Sequence, residues 1–308
     1  MRIVRHPAGV PREAAIAIGS FDGVHLGHQA IVAHVESAAK ARGLDSAILT
    51  FEPLPREHFA PATAPARLTS LAEKLALLAA TGLGTAFVQR FGPRFASIEP
   101  ADFARRLRSA YGARWVLVGE DFRYGARRGG DVESLQRAGR EHGYEVEVLP
   151  EVTAGRERIS STRVRDALAA GDLDEAARLL GRRYAICGRV VHGAKRGREL
   201  GFPTANVRLG RARPALSGIY AVKCFGAATR GLEGVASLGI NPAVRDGGPA
   251  TLEAFLFDFS GDLYGRRLSV EFVKKLRDEA HFASLEELSA QIARDCEAAR
   301  ECFRAAPR

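Results

Sequence analysis

The first half of the chain alternates short apolar runs with stretches of helical periodicity. The runs Ala14–Ile18 and 47–51 have the length of buried strands, and the stretch 27–42 between them repeats apolar residues at spacings of three and four. Strands joined through helices pair in parallel, so this alternation predicts βαβ units and an α/β domain with a mostly parallel sheet. Further strands are predicted at 85–91, 115–118 and 144–148, and further helices at 70–80, 100–110 and 131–142.

The rhythm changes after residue 160. Two short helices are predicted at 161–170 and 172–180, with Asp172 as the N-cap and Gly181 as the stop. Beyond Gly181, strand patterns follow one another across turns that contain Gly and Pro, with no long helix between them. This pattern predicts an antiparallel barrel or sandwich. The strands are predicted at 184–192, 218–225, 232–239, 251–259 and 267–274.

A helix is predicted near the end of the chain. Ser284 and Glu287 have the spacing of a capping box, and apolar residues then recur at helical spacing up to Phe303. The length of 308 residues suits about two domains of roughly 150 residues each. We place the boundary near residue 182, which gives a first domain over 1–182 and a second over 183–308.

Composition excludes several classes of protein. The chain is 46% hydrophobic and 26% charged, which is ordinary for a globular protein with a buried core. Its longest uncharged stretch, between Lys74 and Gln89, is shorter than the roughly 20 residues that cross a bilayer. Residues 1–7 lack the apolar core of a signal peptide, so we expect a cytoplasmic protein with no membrane partner. The four cysteines form no CxxC pair, and no structural metal is expected.

The formal net charge is +9, and nearly all of the positive charge comes from Arg. Nucleic-acid binding is one interpretation of this charge, and scattered surface Arg is the other. The basic residues form no long run and have no aromatic residues interleaved with them. We therefore expect no nucleic-acid partner and a general attraction for phosphorylated small molecules. The sequence leaves the oligomeric state open.

A glycine-rich segment follows the predicted strand Ala14–Ile18. It reads Gly-Ser-Phe-Asp-Gly-Val-His-Leu-Gly-His over residues 19–28 and leads into the helix predicted at 27–42. Ligands of an open α/β sheet bind beyond the carboxyl ends of its strands, and a helix N-terminus attracts phosphate. His25 and His28 share a face if the helix has begun, so both imidazoles can contact a triphosphate and stabilise pyrophosphate as it leaves. The alternative is a turn with two surface histidines.

The Phe-Asp-Gly-x-His-x-Gly-His string resembles the HxGH signature of the nucleotidyltransferase superfamily, whose histidines contact the phosphates of ATP without a covalent enzyme intermediate. A second signature of that superfamily is a Ser/Thr-rich loop before a late helix, and residues 158–165 are similar to it. The resemblance implies that Ser161, Thr162 and Arg165 bind the β- and γ-phosphates. Read alone, the same residues form a helix cap with solvated arginines.

A second candidate site is the Gly-Phe-Pro-Thr-Ala-Asn segment at residues 201–206. Pro203 fixes the loop, and Thr204 and Asn206 offer a hydroxyl and an amide oxygen. This pair suits Mg²⁺ that is bridged to nucleotide phosphates, because Mg²⁺ keeps several waters and takes few protein ligands. Without further information such a segment is commonly a structural turn.

The segment resembles the GFPTAN signature with which riboflavin kinases bind Mg-ATP. An HxGH domain followed by this signature is similar to the bacterial bifunctional riboflavin kinase/FAD synthetases, and the resemblance covers essentially the whole chain. It implies a Rossmann-like nucleotidyltransferase domain with a parallel sheet, followed by an antiparallel Greek-key β-barrel with a terminal helix. It also implies Mg²⁺ and ATP for two reactions, from riboflavin to FMN in the barrel and from FMN to FAD in the first domain. The nucleotide-binding residues of the barrel would be Gly201, Pro203, Thr204 and Asn206, the last two through the metal.

The resemblance assigns roles to further residues. In the first domain Gly19, Phe21 and Asp121 would bind the nucleotide beside His25 and His28. In the barrel Glu253 would be the general base that takes the proton of the ribityl 5′-hydroxyl. The alternative for Glu253 is a surface carboxylate on an alternating strand.

The chain departs from the family pattern at two places. Leu54 stands where members often have His in a Phe-Asp-Pro-His-Pro segment, and the loop 239–243 ends in Pro-Ala in place of Pro-Thr. An alternative function is a nucleotidyltransferase for another phosphorylated metabolite, with the barrel as a binding module. A third is a flavin- or nucleic-acid-sensing protein without catalysis, against which Thr204, Asn206 and Glu253 argue.

Overall fold

The structure is a computed structural model that describes residues 1–7, 12–149, 153–154, 157–193, 201–211, 213–228, 230–240 and 250–305. It divides the chain into two compact units. The first unit contains Met1–Pro65 and Lys74–Ser160, and the second contains Ala66–Glu73 and Ser161–Arg308. The first unit holds the predicted alternating elements, and the second holds the strand-rich part together with the two helices before it.

A six-stranded sheet forms the centre of the first unit. Its strands are β1 (Arg2–Val4), β2 (Ala14–Ile18), β3 (Asp45–Glu52), β4 (Thr85–Arg90), β5 (Ala113–Gly119) and β6 (Glu145–Leu149). Their spatial order is β1-β4-β3-β2-β5-β6, and every neighbouring pair is parallel. Each residue of β2 is buried, as expected for a central strand whose two faces are both covered by helices. The predicted parallel sheet is confirmed.

Helices connect these strands, and glycines end two of the longer ones. The helices are α1 (Leu26–Arg42), α2 (Pro55–Phe59), α3 (Leu71–Ala79), α4 (Pro93–Ala96), α5 (Pro100–Ser109) and α6 (Val132–His142), followed by a ribbon of β7 (Thr153–Ala154) and β8 (Glu157–Arg158). Gly43 ends α1 at a φ of 65° and Gly143 ends α6 at a φ of 78°, a left-handed conformation that suits glycine. At the other end of α6, Asp131 accepts a hydrogen bond from the backbone N–H of Ser134 at 2.9 Å.

The strand order puts the topological switch point beside β2. The chain leaves β2 through α1 and enters β3 on one side, whereas β5 lies on the other side. Connections that diverge in this way open a crevice at the carboxyl ends of the central strands. Residues 19–28 follow β2, and Asp121 follows β5, so the sheet brings both segments to this edge.

The second unit contains a closed barrel of six strands. The strands are β9 (Ala185–Val191), β10 (Thr204–Val207), β11 (Gly218–Phe225), β12 (Leu232–Ile240), β13 (Ala250–Leu256) and β14 (Arg267–Arg277). They are paired antiparallel in the order β10-β13-β12-β11-β14-β9, and β9 closes on β10. Strands β11 to β13 form consecutive hairpins, and β14 returns to lie beside β11, which is a Greek key. The barrel is therefore confirmed over the sandwich.

Two helices precede the barrel, α7 (Ser161–Ala170) and α8 (Leu173–Leu180). The side chain of Asp172 accepts a hydrogen bond from the backbone N–H of Glu175 at 2.9 Å, and Gly181 ends α8 at a φ of 70°. The predicted cap and stop of this helix are thus both confirmed.

The terminal helix, α9 (Leu285–Ala305), follows the barrel. Ser284 accepts a hydrogen bond from the backbone N–H of Glu287 at 3.2 Å, so the predicted cap is confirmed. Cys296 and Ala299 are buried on the face of α9 that packs against Phe255 of β13. The helix therefore covers part of the outer surface of the barrel.

Some element boundaries differ from the predictions. The strand predicted at 251–259 ends at Leu256, because Asp258 adopts a φ of 54° and the chain turns there. Strand β10 was predicted only as a loop, although its four residues close the barrel. Among the described helices, none is long and apolar enough to cross a membrane.

Candidate active sites

The loop between β2 and α1 has an unusual backbone. Phe21 and Val24 have positive φ angles of 50° and 42°, and Gly23 between them has a φ of 87°. For residues other than glycine this conformation costs about 1–3 kcal/mol each and persists only where the surroundings enforce it. Here the side chains of Phe21 and Val24 are both 1% exposed. Core packing therefore holds the backbone of this loop in one conformation.

The two predicted catalytic histidines lie against each other. His25 is the N-cap of α1, which begins at Leu26, and its Nδ1 accepts a hydrogen bond from the backbone N–H of His28 at 3.3 Å. The two rings stack at 3.7 Å between centroids, with 17° between their planes. Because Nδ1 of His25 accepts, the neutral ring carries its proton on Nε2, where it can donate to a phosphate oxygen. The helix has not begun at His25, so the two rings come together through the cap and not on one turn of helix.

Glycines make room for these rings. A Cβ at Gly27 would lie 3.1 Å from Nδ1 of His25, and a Cβ at Gly19 would lie 3.2 Å from the ring of Phe21. The Phe21 ring is 5.1 Å from the ring of His28. The start of α1 therefore brings together four residues that were predicted from the sequence, Gly19, Phe21, His25 and His28.

Lys74 supports the same loop from the core and was not predicted as a site residue. Its side chain is completely buried, and Nζ donates hydrogen bonds to the carbonyl oxygen of Ser20 at 2.8 Å and to Oγ1 of Thr50 at 3.3 Å. The signal in the sequence is a lysine inside a helix that is apolar apart from Lys74 and Glu73, Leu-Ala-Glu-Lys-Leu-Ala-Leu-Leu-Ala. A pattern of this kind is read by default as a solvated lysine.

Asp121 lies at the carboxyl end of β5 and is exposed. Its carboxylate is 3.9 Å from the guanidinium of Arg158, which is also exposed. The pair occupies the same edge of the sheet as the loop 19–28, because β5 is the neighbour of β2. An exposed pair at this distance contributes little to stability.

The predicted phosphate-binding residues Ser161, Thr162 and Arg165 lie in the first two turns of α7, in the second unit. Thr162 is exposed, and Nε of Arg165 donates a hydrogen bond to the carbonyl oxygen of Ala66 at 2.5 Å. The predicted helix start is confirmed. Phosphate binding by these three residues stays a prediction.

Aromatic rings line the edge of the sheet beyond β3 and β4. The ring of Phe91 lies 5.7 Å from Phe51 and 5.6 Å from Phe95, in edge-on contacts. Phe59, which is 66% exposed, packs on Phe91 at 5.5 Å. Leu54, one of the two predicted departures from the family pattern, is the buried N-cap of α2. His58 packs on Phe59 and Phe91 at 5.2 and 5.6 Å, so this edge carries a cluster of aromatic rings that includes one imidazole.

The barrel brings three predicted residues together on two paired strands. Asn206 of β10 is the register partner of Glu253 on β13, and Thr204 lies two residues before Asn206. Oγ1 of Thr204 donates a hydrogen bond to Oε2 of Glu253 at 3.1 Å. The neighbours of Glu253 in β13 are buried inside the barrel, so the half-buried Glu253 is on the outer face. A hydroxyl, an amide and a carboxylate thus form one polar group there.

The residues around this group shape it closely. The side chain of Asn206 lies directly over Gly193, where a Cβ would overlap its amide group. Gly201 has a φ of 84°, which suits glycine, and Pro203 leads directly into β10. The ring of Phe202 packs edge-on against Phe255 at 5.6 Å. The turn 201–203 is therefore anchored to the outer face of the barrel.

A further carboxyl group approaches the same face. Gly239 of β12 is paired with Thr251, next to the pair of Ser237 and Glu253, and the carboxylate of Glu279 lies directly on Gly239. Burial raises the pKa of the Glu279 carboxyl. The departure predicted in the loop 239–243 concerns residues that, beyond Ile240, lie outside the described part of the chain.

The two sites define an ATP-dependent transferase. One site presents paired histidines at a helix N-terminus on the switch point of a parallel sheet, and the other presents a hydroxyl, an amide and a carboxylate on adjoining barrel strands.

Comparisons with known proteins assign the family. Residues 8–163 match the family model of FAD synthetase, and residues 180–303 match that of riboflavin kinase. A protein of Pseudomonas fluorescens named bifunctional riboflavin kinase/FMN adenylyltransferase is 47% identical over 94% of this chain and 93% of its own length. Its namesake in Escherichia coli K12 is 45% identical over 98% of this chain and 97% of its own. The chain belongs to the family of bifunctional riboflavin kinase/FMN adenylyltransferases.

A solved structure has the same fold throughout. The crystal structure of a macrolide-efflux protein from Streptococcus pneumoniae covers 99% of both chains with a TM-score of 0.80 and 29% identity. The α/β and barrel architecture described above is therefore common to that protein and this chain.

Proposed function

We propose that this chain makes FMN from riboflavin and ATP, and then FAD from FMN and a second ATP. Residues 183–308 would carry the kinase and residues 1–182 the adenylyltransferase. The matches to a FAD synthetase model over 8–163 and to a riboflavin kinase model over 180–303 support this division. Flavin is substrate and product here, and the reaction partners are small molecules that a cytoplasmic enzyme meets.

In the kinase reaction, the 5′-hydroxyl oxygen of riboflavin attacks the γ-phosphorus of ATP. The new O–P bond forms as the bond from the γ-phosphorus to the β,γ-bridging oxygen breaks, and ADP leaves with that oxygen. Glu253 takes the proton of the hydroxyl. The hydrogen bond from Thr204 at 3.1 Å orients this carboxylate and leaves its other oxygen available.

The residues present fit a magnesium ion. The hydroxyl of Thr204 donates a hydrogen bond to Glu253, so its lone pairs are available to a metal. Asn206, two residues along the same strand, offers an amide oxygen on the same face. Bound Mg²⁺ would neutralise charge on the β- and γ-phosphates. Gly201 and Pro203 would position the backbone of the turn next to the nucleotide.

In the adenylyltransferase reaction, a phosphate oxygen of FMN attacks the α-phosphorus of ATP. The bond to the α,β-bridging oxygen breaks, and pyrophosphate leaves. His25 and His28 would donate hydrogen bonds to the phosphates that carry the growing charge, helped by the N-terminus of α1. Gly19, Phe21 and Asp121 would bind the nucleotide in the crevice.

Further groups are proposed to take part in the same reaction. Ser161, Thr162 and Arg165 would bind the β- and γ-phosphates from the start of α7. The aromatic surface around Phe51 and Phe91 suits a planar flavin ring, because aromatic rings stack on one another in offset or edge-on geometries.

The observation that carries the proposal is the coexistence of both polar groups in one chain, the stacked His25–His28 pair and the Thr204–Glu253 pair. Purified protein would be incubated with riboflavin, ATP and Mg²⁺, and the products separated by chromatography. We expect FMN to appear first and FAD to follow. One ADP should be released for each riboflavin that is phosphorylated, and one pyrophosphate for each FAD that is formed. EDTA should stop the reaction. Failure to form either flavin nucleotide contradicts the proposal, and FAD from supplied FMN without any FMN from riboflavin contradicts its kinase half.

A further inference from the structure

The core of the first unit encloses one ammonium group on α3. Lys74 has no exposed surface, although an ammonium loses its hydration when it is buried, at a cost of several kcal/mol. Its hydrogen bonds to Ser20 at 2.8 Å and to Thr50 at 3.3 Å recover part of that cost. A methionine would fill the same volume without the cost. The reason for a charged residue at this position therefore lies in the groups that the Lys74 ammonium contacts.

One of its contacts is the Ser20–Phe21 peptide of the glycine-rich loop. The carbonyl oxygen of Ser20 accepts hydrogen bonds from Nζ of Lys74 at 2.8 Å and from Oγ1 of Thr50 at 3.1 Å. Thr50 is itself completely buried in β3. Ser20 directly precedes Phe21, whose φ of 50° begins the left-handed turn. The two donors thus fix the peptide plane at which the strained part of the loop starts.

The same ammonium is a fixed positive charge one hydrogen bond from the loop backbone. In the protein interior such a charge is screened far less than a surface charge. The loop continues into the N-cap His25, so the charge adds to the positive end of the α1 dipole. Both terms favour a polyanion over a neutral ligand at this loop.

We propose that Lys74 is a positioning residue of the adenylyltransferase site, which holds the Ser20 peptide in the conformation that binds triphosphate and strengthens the site's preference for polyanions. The inference rests on the proposed function of the first domain. It adds a residue that touches neither substrate and acts through the loop.

The test is Lys74→Met, assayed for FAD formation from supplied FMN and for FMN formation from riboflavin. We expect kcat/KM for ATP in FAD formation to fall about 10- to 100-fold, the range for loss of a hydrogen bond from a charged group. The kinase rate should stay within about twofold, because the barrel reaction does not use this loop. An adenylyltransferase rate within about twofold of the parent overturns the proposal.

Leu78→Ala is the matched control for lost packing. Leu78 is on the same helix and is completely buried, and its truncation leaves a cavity without touching the Lys74 hydrogen bonds. At a temperature where both variants are folded, as near-ultraviolet circular dichroism would report, Leu78→Ala should keep most of the adenylyltransferase rate. An equal loss in both variants means that Lys74 acts only through stability, and the proposal fails.

A second readout separates charge from loop order. Inorganic tripolyphosphate and adenosine would be compared as inhibitors of FAD formation. In Lys74→Met the inhibition constant of tripolyphosphate should rise about tenfold while that of adenosine changes little, and equal changes contradict the role of the charge. If Lys74→Met does not fold, Thr50→Val is tested in its place, because it removes a donor to the Ser20 carbonyl with little change of shape. The proposal expects Thr50→Val to lose adenylyltransferase activity and to keep kinase activity. No loss of adenylyltransferase activity overturns it. A parent protein that forms no FAD fails the proposed function instead.

Discussion

The two candidate sites of this chain are built by different means. The loop 19–28 holds its histidines through positive φ angles at Phe21 and Val24, side chains that the core encloses, and a buried ammonium. The barrel site holds Thr204 and Glu253 through the register of two paired strands, with both side chains only half buried. The loop site depends on the buried side chains that pack against it, and the barrel site depends on the pairing of β10 with β13.

This difference predicts where each site is vulnerable. A loop held by packing can be disturbed by changes that never reach the substrate, as proposed for Lys74. A site held by strand register tolerates distant changes, because register is fixed by the apolar pattern of the whole strands and by the geometry of their turns. It is sensitive instead to added bulk between the strands and the neighbouring turn.

The largest expected effect is that of Glu253→Gln on the kinase. Removing the general base should lower FMN formation by about 10²- to 10⁴-fold, while FAD formation from supplied FMN is retained. Chromatography of both products measures the two reactions separately. Glu271→Gln, which changes another half-buried carboxylate in the same barrel, should leave both rates near those of the parent. An unchanged kinase rate in Glu253→Gln would remove Glu253 from the mechanism.

His28→Ala should have the next largest effect, on the other reaction. Loss of a donor that stabilises the leaving pyrophosphate should lower FAD formation by about 10²- to 10³-fold and leave FMN formation intact. His34→Ala is the control, since His34 is on the same helix but pairs with Glu147 at 2.6 Å, away from the loop. If both variants keep their rate of FAD formation, the role given to His28 is wrong.

Each site also contains one glycine that makes room for a functional side chain. Gly193→Ala would put a methyl group into the amide of Asn206, and the side chain would have to move. We expect kinase kcat/KM for Mg-ATP to fall about 10- to 100-fold, as for other losses around a metal site, with a higher Mg²⁺ requirement. Gly92→Ala adds a methyl where nothing lies within 4 Å, and it controls for the substitution itself. A normal Mg²⁺ titration of Gly193→Ala would argue against Asn206 as a ligand.

Gly27→Ala should have the smallest effect of the four. The added methyl would lie 3.1 Å from Nδ1 of His25, so the ring must shift by a few tenths of an ångström. We expect FAD formation to fall about threefold, because small misplacements of a catalytic group are felt in the rate. Thermal unfolding should show no loss of stability, since Ala favours a helix over Gly. A loss as large as that of His28→Ala would mean that the loop, rather than the ring, had moved.

Much of the fold could be predicted from periodicity. The alternating pattern is confirmed as a parallel sheet, and the hairpin pattern is confirmed as an antiparallel barrel. The elements that escaped prediction are short. Strand β1 has three residues and β10 has four, too few for a pattern to stand out from a turn. Their pairing partners are distant in the sequence, and only the folded chain brings them together.

The site residues were predicted from motifs, and the geometry around them was not. The sequence placed His25 and His28 at a helix start, but it did not reveal that His25 is the cap or that the rings stack. Lys74 was missed because a lysine in a helix is usually solvated, and burial depends on the tertiary structure. The role of Gly193 likewise depends on the strand beside it, which the sequence alone did not define.

Strand β10 connects chemistry with the integrity of the barrel. All four of its residues pair with β13, and Asn206 and Val207 also pair with β9. Two of the four, Thr204 and Asn206, are the proposed metal ligands. Separation of β10 from β13 would move those ligands away from Glu253, so an open form of the barrel would not bind Mg-ATP. Nucleotide binding and barrel closure are then thermodynamically linked. Nucleotide at a hundred times its Kd would stabilise the closed barrel by about 2.7 kcal/mol. Substrate supply would set how long the second unit survives heat or protease.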